Sequence, residues 1–468
     1  MLSRENDFSR LELNLGNCLR NYRYFRSLLQ PRTKLLTLVK ANAYGHGAVE
    51  FALMMQNAGA DYLAVALPVE GMELRRSGIT LPILVLTSGT DFFPEIIENR
   101  LEPGIPNMYT LKALCKVLEE RGMTGFPIHL KLDTGMHRLG FMTAELDEVL
   151  AFLKDCPLVN VKSVYSHLAA AEDPAQDDFT LGQIAMFTRN ADRITASLGY
   201  KPMYHILNSA GIERFPQFQF DMVRLGIGIY GISALPGTKL SPVASLKVKV
   251  LQIKTLTQED GTIGYGRHGH IAPEGTRIAT IPVGYADGID RHLGCGNASF
   301  NLGGHRVPTI GNICMDMCML DVTGVPAEAG DTVTIFGEDP TVSELADILG
   351  TIPYEIMTSV PRRIERIIDL TRNADTTEFR ASCLKETSKH IAEEIAKDKS
   401  LRVVLATHDA AIGSVWTNRF SGVRAVVAFS ADQAKRDIAA ADANVAIVDP
   451  HELGSYPLRQ IVDFFIHR

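Results

Sequence analysis

The sequence predicts an α/β fold: a parallel (β/α)8 barrel, then an all-β domain, then a small α/β unit of Rossmann-like order. From the start to about residue 240, eight short runs rich in Val, Ile and Leu alternate with longer segments of helical period. Around Pro242 the period changes to two, with glycine-rich turns and little helix. Past about residue 370 a polar stretch, TRNADTTEF, reads as a linker to a last series of helices and strands.

The eight runs are LLTLVK to Lys40, YLAVAL from Tyr62, PILVLT from Pro82, LEPGIP from Leu101, IHLKLD from Ile128, VKSVYSH to His167, YHILNS to Ser209 and MVRLGIGIYG from Met222. Segments such as TAELDEVLAFLKD supply the crossover helices between them. Polar residues that end these runs matter, because barrels place their chemistry at the carboxyl ends of the strands. The period-two segments are VASLKVKVLQIKTL, TRIATIPVGYAD, HRVPTIGNICMDMCMLDV and DTVTIFGE, followed by the helical VSELADILG. The expected domains are residues 1–240, 241–370 and 379–468, with the first dozen residues joining the second. In the third, LKETSKHIAEEIAKD, ADQAKRDIAAA and LRQIVDFFIH read as helices, and RVVLAT, GVRAVVAFS and NVAIVD as parallel strands.

The chain has 468 residues, enough for large cores, and 47 Lys plus Arg against 54 Asp plus Glu give a net charge of −7. An apolar fraction of 46% with 22% charged residues argues against disorder and against a basic nucleic-acid binder. No run of about 18 apolar residues suggests a membrane span, and MLSRENDFSR reads as neither a signal nor a transit peptide. Seven scattered cysteines are not a disulfide framework, which points to a reducing cytoplasm. Cys314 and Cys318 lie in what reads as an alternating strand, without the further ligands a zinc site needs, so no metal is expected.

The string VKANAYGHG places Lys40 at the end of the first barrel strand. Burying an ammonium there is costly, so the lysine needs an anionic partner or a lowered pKa. A lysine held in this way can form a Schiff base with a carbonyl cofactor.

VKANAYGHG, KLDTGMHRLGF, YSHLAAAED, RLGIGIYG, GYGR, VGYADG and GNICMDM occur in the order found in alanine racemases, and over about residues 5 to 370 the chain resembles that family. The resemblance implies pyridoxal 5′-phosphate as cofactor, interconversion of L- and D-alanine, and D-alanine supply for peptidoglycan. It assigns Lys40 as the Schiff-base lysine and one catalytic base, and Tyr265 as the other, on the opposite face of the cofactor. Two bases are needed because one group removes the α-proton from one face while another returns it to the other. A free tyrosine titrates near roughly 10, so such a base needs a polarising neighbour. By resemblance that neighbour is His167.

The same likeness sets Arg224 against the pyridine nitrogen, where an always-charged guanidinium opposes ring protonation and weakens the electron sink. It assigns the phosphate to Tyr44, Asn208, Ser209, Ala210, Gly226, Ile227 and Tyr354, and the substrate carboxylate side to Arg138, Met315 and Asp316. Tyr285 falls in the entryway, and Lys131 matches a lysine carbamylated in many members. Tyr265, Tyr285, Met315 and Asp316 would reach the lysine of a second copy, so a head-to-tail homodimer with composite sites is implied.

Asn312 stands where an arginine is frequent, Pro353 precedes Tyr354, and PRRIER forms an unusual basic run. These departures bear on substrate breadth, with serine as the next candidate. A pyridoxal decarboxylase of the same fold is the alternative class, but it would set a carboxylate rather than Arg224 at the ring nitrogen.

From Phe379 the chain resembles the later part of the ribose-5-phosphate isomerase B and galactose-6-phosphate isomerase family. Thr407 stands at the place of the catalytic cysteine, His408, Asp409 and Ala410 replace the anion-loop glycines, and Ala440 and Ala441 replace a His-Asn pair. The resemblance therefore implies a structural or regulatory appendage rather than a working isomerase.

Overall fold

The computed structural model describes residues 8–235, 237–368, 384–399, 401–406, 414–415, 417–448, 460–461 and 464, and the chain divides into two units, Met1–Ile367 and Ile368–Arg468. The first strand of the larger unit, β1 (Ser9–Leu13), precedes eight parallel strands. These are β2 (Lys34–Leu38), β3 (Tyr62–Val65), β4 (Ile83–Val85), β5 (Glu102–Ile105), β6 (Phe126–Lys131), β7 (Val159–Tyr165), β8 (Met203–His205) and β9 (Met222–Leu225). From β2 to β8 each pairs with its sequence neighbour, and β2 also pairs with β9. The ring closes where the Arg224 amide donates to the Leu207 carbonyl at 3.0 Å and the Asp221 amide to that of Tyr204 at 3.1 Å.

These strands are buried along nearly their whole length because helices cover their outer faces. Leu146–Lys154, for example, turns Leu146, Val149, Leu150 and Leu153 inward, at the spacing of one helical face.

The β domain is built from β10 (Ala244–Lys249), β11 (Gln252–Leu256), β12 (Thr262–Ile263), β13 (Gly269–His270), β14 (Thr276–Ile281), β15 (Ser299–Leu302), β16 (His305–Ile310), β17 (Cys318–Asp321), β18 (Thr332–Phe336) and β19 (Glu365–Ile368). All but the short β12–β13 pair join one sheet of order β11-β14-β17-β16-β15-β18-β10-β1-β19. Strand β1 runs antiparallel to β10 from Ser9 opposite Val248 to Leu13 opposite Ala244, which ties the start of the chain to this domain.

HRVPTIGNICMDMCMLDV is not a continuous alternating strand, because residues 311–317 form a loop between β16 and β17. Gly311, at φ +68°, leaves the strand conformation, and the carbonyls of Cys314 and Met315 accept from the amides of Tyr285 and Ala286 at 3.0 Å instead of joining a ladder.

In the smaller unit, β20 (Val403–Ala406), β21 (Ala425–Ala428) and β22 (Val445–Val448) form a parallel sheet with β22 central. Ala446 and Val448 pack with Ala434 and Ile438 of helix Ala431–Ala440, whereas Val445 and Ile447 pack with Ile391 and Ile395 of helix Leu384–Lys397. Both faces are thus covered, which explains why all four β22 residues are apolar and buried. The linker and residues 407–413, including Thr407, His408, Asp409 and Ala410, lie outside the described residues, as does most of LRQIVDFFIH. Among the described residues no helix is long and apolar enough to cross a membrane.

Candidate active site at the barrel mouth

Lys40 follows β2 and opens a turn of unusual hand. Ala41, Asn42, Ala43 and Tyr44 all have φ between 50° and 55°, four consecutive left-handed residues without a glycine among them. Each costs about 1–2 kcal/mol relative to right-handed backbone, so the turn needs external support.

That support is specific. Glu70 accepts from the Ala41 amide at 2.6 Å, the Asn42 side chain accepts from the Ala48 amide at 3.0 Å, and His46 Nδ1 sits 3.1 and 2.9 Å from the carbonyls of Ala43 and Tyr44. Burial depresses His46 to about 4, so the ring is neutral and its proton belongs on Nδ1, facing two acceptors. Arg366 donates twice to the Gly45 carbonyl, at 3.0 and 2.9 Å. Gly45 itself has φ +86° and lies so close to the Met357 carbonyl that a Cβ would stand 2.2 Å from that oxygen. Met357 and Arg366 belong to the β domain, which therefore braces the lysine turn of its own chain.

Around Lys40 the site is rich in cations. Burial and then the charge of Arg138 lower the lysine amine, with Glu70 partly offsetting them. Lys131, the last residue of β6, is lowered to about 8 by burial, then by Arg138 and Arg224. His167 is driven well below its usual range by burial and by Arg224, Arg138, Lys131 and Lys40 in turn. Arg138 sits on a tight loop after β6, held by Asp133, which accepts from the amides of Gly135 and His137 at 2.9 and 3.0 Å. Mutual repulsion of this kind is relieved by an anionic ligand.

The other side of the mouth is built for close backbone approach. Ser209 Oγ accepts from the amides of Gly226 and Gly228, at 2.9 and 3.3 Å, and Asn208 caps helix Ser209–Arg214 through the Gly211 amide at 2.9 Å. A Cβ on Gly226 would stand 2.7 Å from the Tyr44 hydroxyl, so only glycine lets that hydroxyl reach the turn that continues into Ile227. The Tyr44 ring lies 5.6 Å from the Tyr354 ring, with burial raising the hydroxyls of both and Tyr354 reaching about 12. Two neutral phenols beside small-residue backbone turns are donors suited to a phosphate.

Arg224 is buried in the barrel with a lowered pKa of about 10, caused by burial. Its guanidinium donates to the carbonyls of Ser166, His205 and Ile206 at 2.7, 3.2 and 3.1 Å, and to Nδ1 of His205 and of His167 at 3.1 Å each. Because arginine only donates, both imidazoles accept at Nδ1 and carry their protons on Nε2.

From there a chain of polar groups that sequence reading missed crosses the barrel interior. His205 Nε2 lies 2.8 Å from Ser163 Oγ, which is 2.6 Å from His129 Nδ1, and His129 Nε2 lies 2.8 Å from Glu102. With the first link fixed by Arg224, His205 donates from Nε2 to Ser163, and at the far end His129 Nε2 donates to the Glu102 carboxylate. Burial raises the Glu102 carboxyl, but bonds from His129 and Tyr62 and the charges of His129 and Lys162 outweigh it and hold the group below its usual range. The only sequence signal was the presence of polar residues inside apolar strand runs.

Four of the expected residues stand apart. Tyr265 is 73% exposed in a short turn, and Tyr285, Met315 and Asp316 are also exposed. Among the described residues, none of the hydrogen bonds, ion pairs or ring contacts links these four to Lys40 of the same chain. Asn312 donates to the Tyr265 carbonyl at 2.8 Å and lies 3.1 Å from His268 Nδ1, so it holds the tyrosine turn from beneath.

Residues 13–234 match the family model "Alanine racemase, N-terminal domain", and residues 243–368 match "Alanine racemase, C-terminal domain". The chain is 37% identical to an alanine racemase of Methanococcus maripaludis, over 76% of this chain and 97% of that protein. It is 36% identical to one of Synechocystis, over 76% and 98%. Among solved structures, an alanine racemase of Clostridium difficile 630 superposes with a TM-score of 0.72 at 32% identity, covering 76% of this chain and 94% of that one. A Bartonella henselae alanine racemase, described with covalently bound pyridoxal phosphate, superposes with a TM-score of 0.70 at 28% identity, over 77% and 99%.

Proposed function

We propose how this chain, which belongs to the alanine racemase family, uses its barrel mouth to interconvert L- and D-alanine with pyridoxal 5′-phosphate. The observation that carries the reading is Lys40, a strand-end amine with a lowered pKa, set among cations on a braced left-handed turn. Bound there, the cofactor supplies a carbonyl for an amino group and an electron sink for the α-carbon.

The chain supplies the rest. Tyr44, Tyr354, Ser209 and the backbone at Asn208, Ala210, Gly226 and Ile227 hold the phosphate, and Arg224 faces the pyridine nitrogen. Its hydrogen bonds go to carbonyls and imidazoles, and its remaining positive charge opposes a proton on the ring. Arg138 engages the substrate carboxylate. Lys40 Nζ gives and takes the α-proton on one face, and Tyr265 Oη of the partner subunit does so on the other. His167, carrying its proton on Nε2, donates toward that oxygen and stabilises its deprotonated form. The exposure of Tyr265, Tyr285, Met315 and Asp316 supports this two-chain arrangement, since side chains that serve a partner's site face outward in one chain.

The test is exchange in deuterated water with L-alanine and L-serine side by side. Deuterium should enter the α-position of alanine at the racemisation rate, with serine slower. Holoenzyme that washes no deuterium into alanine is not a racemase, and equal rates for both would make it a broader amino-acid racemase.

Lys131 is the site of carbamylation. Only the free amine attacks carbon dioxide, and a lysine at about 8 supplies it near neutral pH, where an ordinary lysine does not. The product is an anion beside Arg138 and turns repulsion into a pair. Carbon-13 spectra in labelled bicarbonate should show a carbamate resonance that grows as pH rises from 6 to 8, as the free amine climbs from about 1% to about half. Its survival in Lys131→Ala would exclude this residue.

In the smaller unit, the order and parallel pairing of β20, β21 and β22 support kinship with sugar-phosphate isomerases. Since the isomerase residues are replaced, its role is structural or regulatory. The racemase itself supplies D-alanine for cell-wall peptidoglycan.

A further inference from the structure

The basic run Pro361–Arg366 does more than brace the lysine turn. Arg363 donates from Nε to Asp287 at 2.7 Å and from Nη2 to Asp316 at 2.8 Å, so one planar guanidinium spans two loops. Asp287 is buried and also accepts from the Gly284 amide at 3.0 Å, closing the turn that carries Tyr285. Asp316 follows Met315 on the loop 311–317.

Those loops are already stitched through the bonds from Tyr285 and Ala286 to the Cys314 and Met315 carbonyls. Gly284 lies so close beneath them that a Cβ would stand 2.2 Å from the Cys314 oxygen. The backbone thus fixes the shape of the wall, and Arg363 fixes its charge. Asp316 is exposed and stands next to Met315, which the resemblance sets on the substrate carboxylate side. Asn312, where the resemblance leads one to expect an arginine, brings no positive charge to this loop and is occupied with Tyr265 and His268.

We infer that Arg363 is a positioning residue of the substrate wall: it masks the Asp316 carboxylate and so lets a substrate carboxylate approach the Met315 loop. The inference rests on the racemase reading and assigns a role to the basic run that this reading leaves unused. A guanidinium is required because its fork reaches both aspartates at once, whereas a lysine ammonium serves one of them well.

The test uses full-length holoenzyme, with cofactor absorption and melting temperature confirming that each variant is loaded and folded. Arg363→Gln should raise KM for alanine about five- to ten-fold while kcat stays within about two-fold, the signature of lost ground-state attraction. Adding Asp316→Asn to that variant should bring KM back down, at least about two-fold below that of Arg363→Gln, because the unmasked charge is gone. Arg363→Lys should fall between them. A purely structural clamp predicts the opposite for the double variant, since removing the second partner loosens the loops further. An unchanged KM in Arg363→Gln, or no recovery in the double variant, overturns the inference while the racemase reading stands. A wild-type chain without alanine turnover overturns both.

Discussion

Replacing Lys40 by alanine is expected to abolish the visible absorption of the protein-bound cofactor and to lower racemisation by at least about four orders of magnitude. Two separate functions disappear together. On the reading proposed above, the amine is the chain's covalent anchor for the carbonyl group and also the base on one face of the substrate. Its lowered pKa acts in the useful direction: burial and the neighbouring Arg138 disfavour the ammonium, so the free amine is available at lower pH than for an exposed lysine. A variant that kept both colour and turnover would show that another amine does this work. Spectrophotometric titration with pyridoxal 5′-phosphate, beside a chiral assay of alanine, reads both outcomes.

Tyr265→Phe should keep the cofactor absorption and lose about 10²–10⁴-fold in racemisation, the range for one general acid–base group. Proton exchange on the face served by Lys40 should survive, so deuterium should still wash into one enantiomer. The two variants together test the composite site. In a heterodimer of Lys40→Ala with Tyr265→Phe, one site has lost both groups and the other retains both. Co-refolded equal mixtures should therefore recover roughly a quarter of wild-type activity, because half of the dimers carry one intact site. No recovery would place Lys40 and Tyr265 in the same chain's site, and full activity of Tyr265→Phe would end the two-base assignment.

Much of the barrel was legible because its strands are buried on both faces. Such strands read as apolar runs: LLTLVK and VKSVYSH end on Lys40 and His167, IHLKLD carries Lys131, and the structure gathers these three at the mouth. Period two alone was a poorer guide in the β domain, where NICMDM alternates without being a strand. Its conformation is set by contacts with Tyr285 and Ala286, which sequence spacing does not reveal.

The left-handed turn was equally hidden. Ala41, Asn42, Ala43 and Tyr44 include no glycine, and the turn is held by Glu70 at Ala41 and, through the Gly45 carbonyl, by Arg366, over 300 residues away in the chain. The interior chain from Glu102 to Arg224 escaped for another reason. His129 and Ser163 face one another only because β6 shifts register against β7 between Ile128 and His129, and no local pattern announces that shift. The basic run was visible as an oddity, but only the geometry of Asp287 and Asp316 gives Arg363 a task.

The line of imidazoles behind Arg224 also makes this barrel sensitive to acid. Burial, and then the charge of Arg224, hold His205 and His167 neutral well below the usual histidine range, and burial lowers His46 to about 4. Once unfolded, the same three rings bind protons near 6.5, so the denatured chain takes up more protons than the native one as pH falls below that value. Stability is therefore full above about 6.5 and drains away toward the folded pKa values. The burial that sets the Arg224 guanidinium against His167 and His205 thus also makes the fold less tolerant of acid.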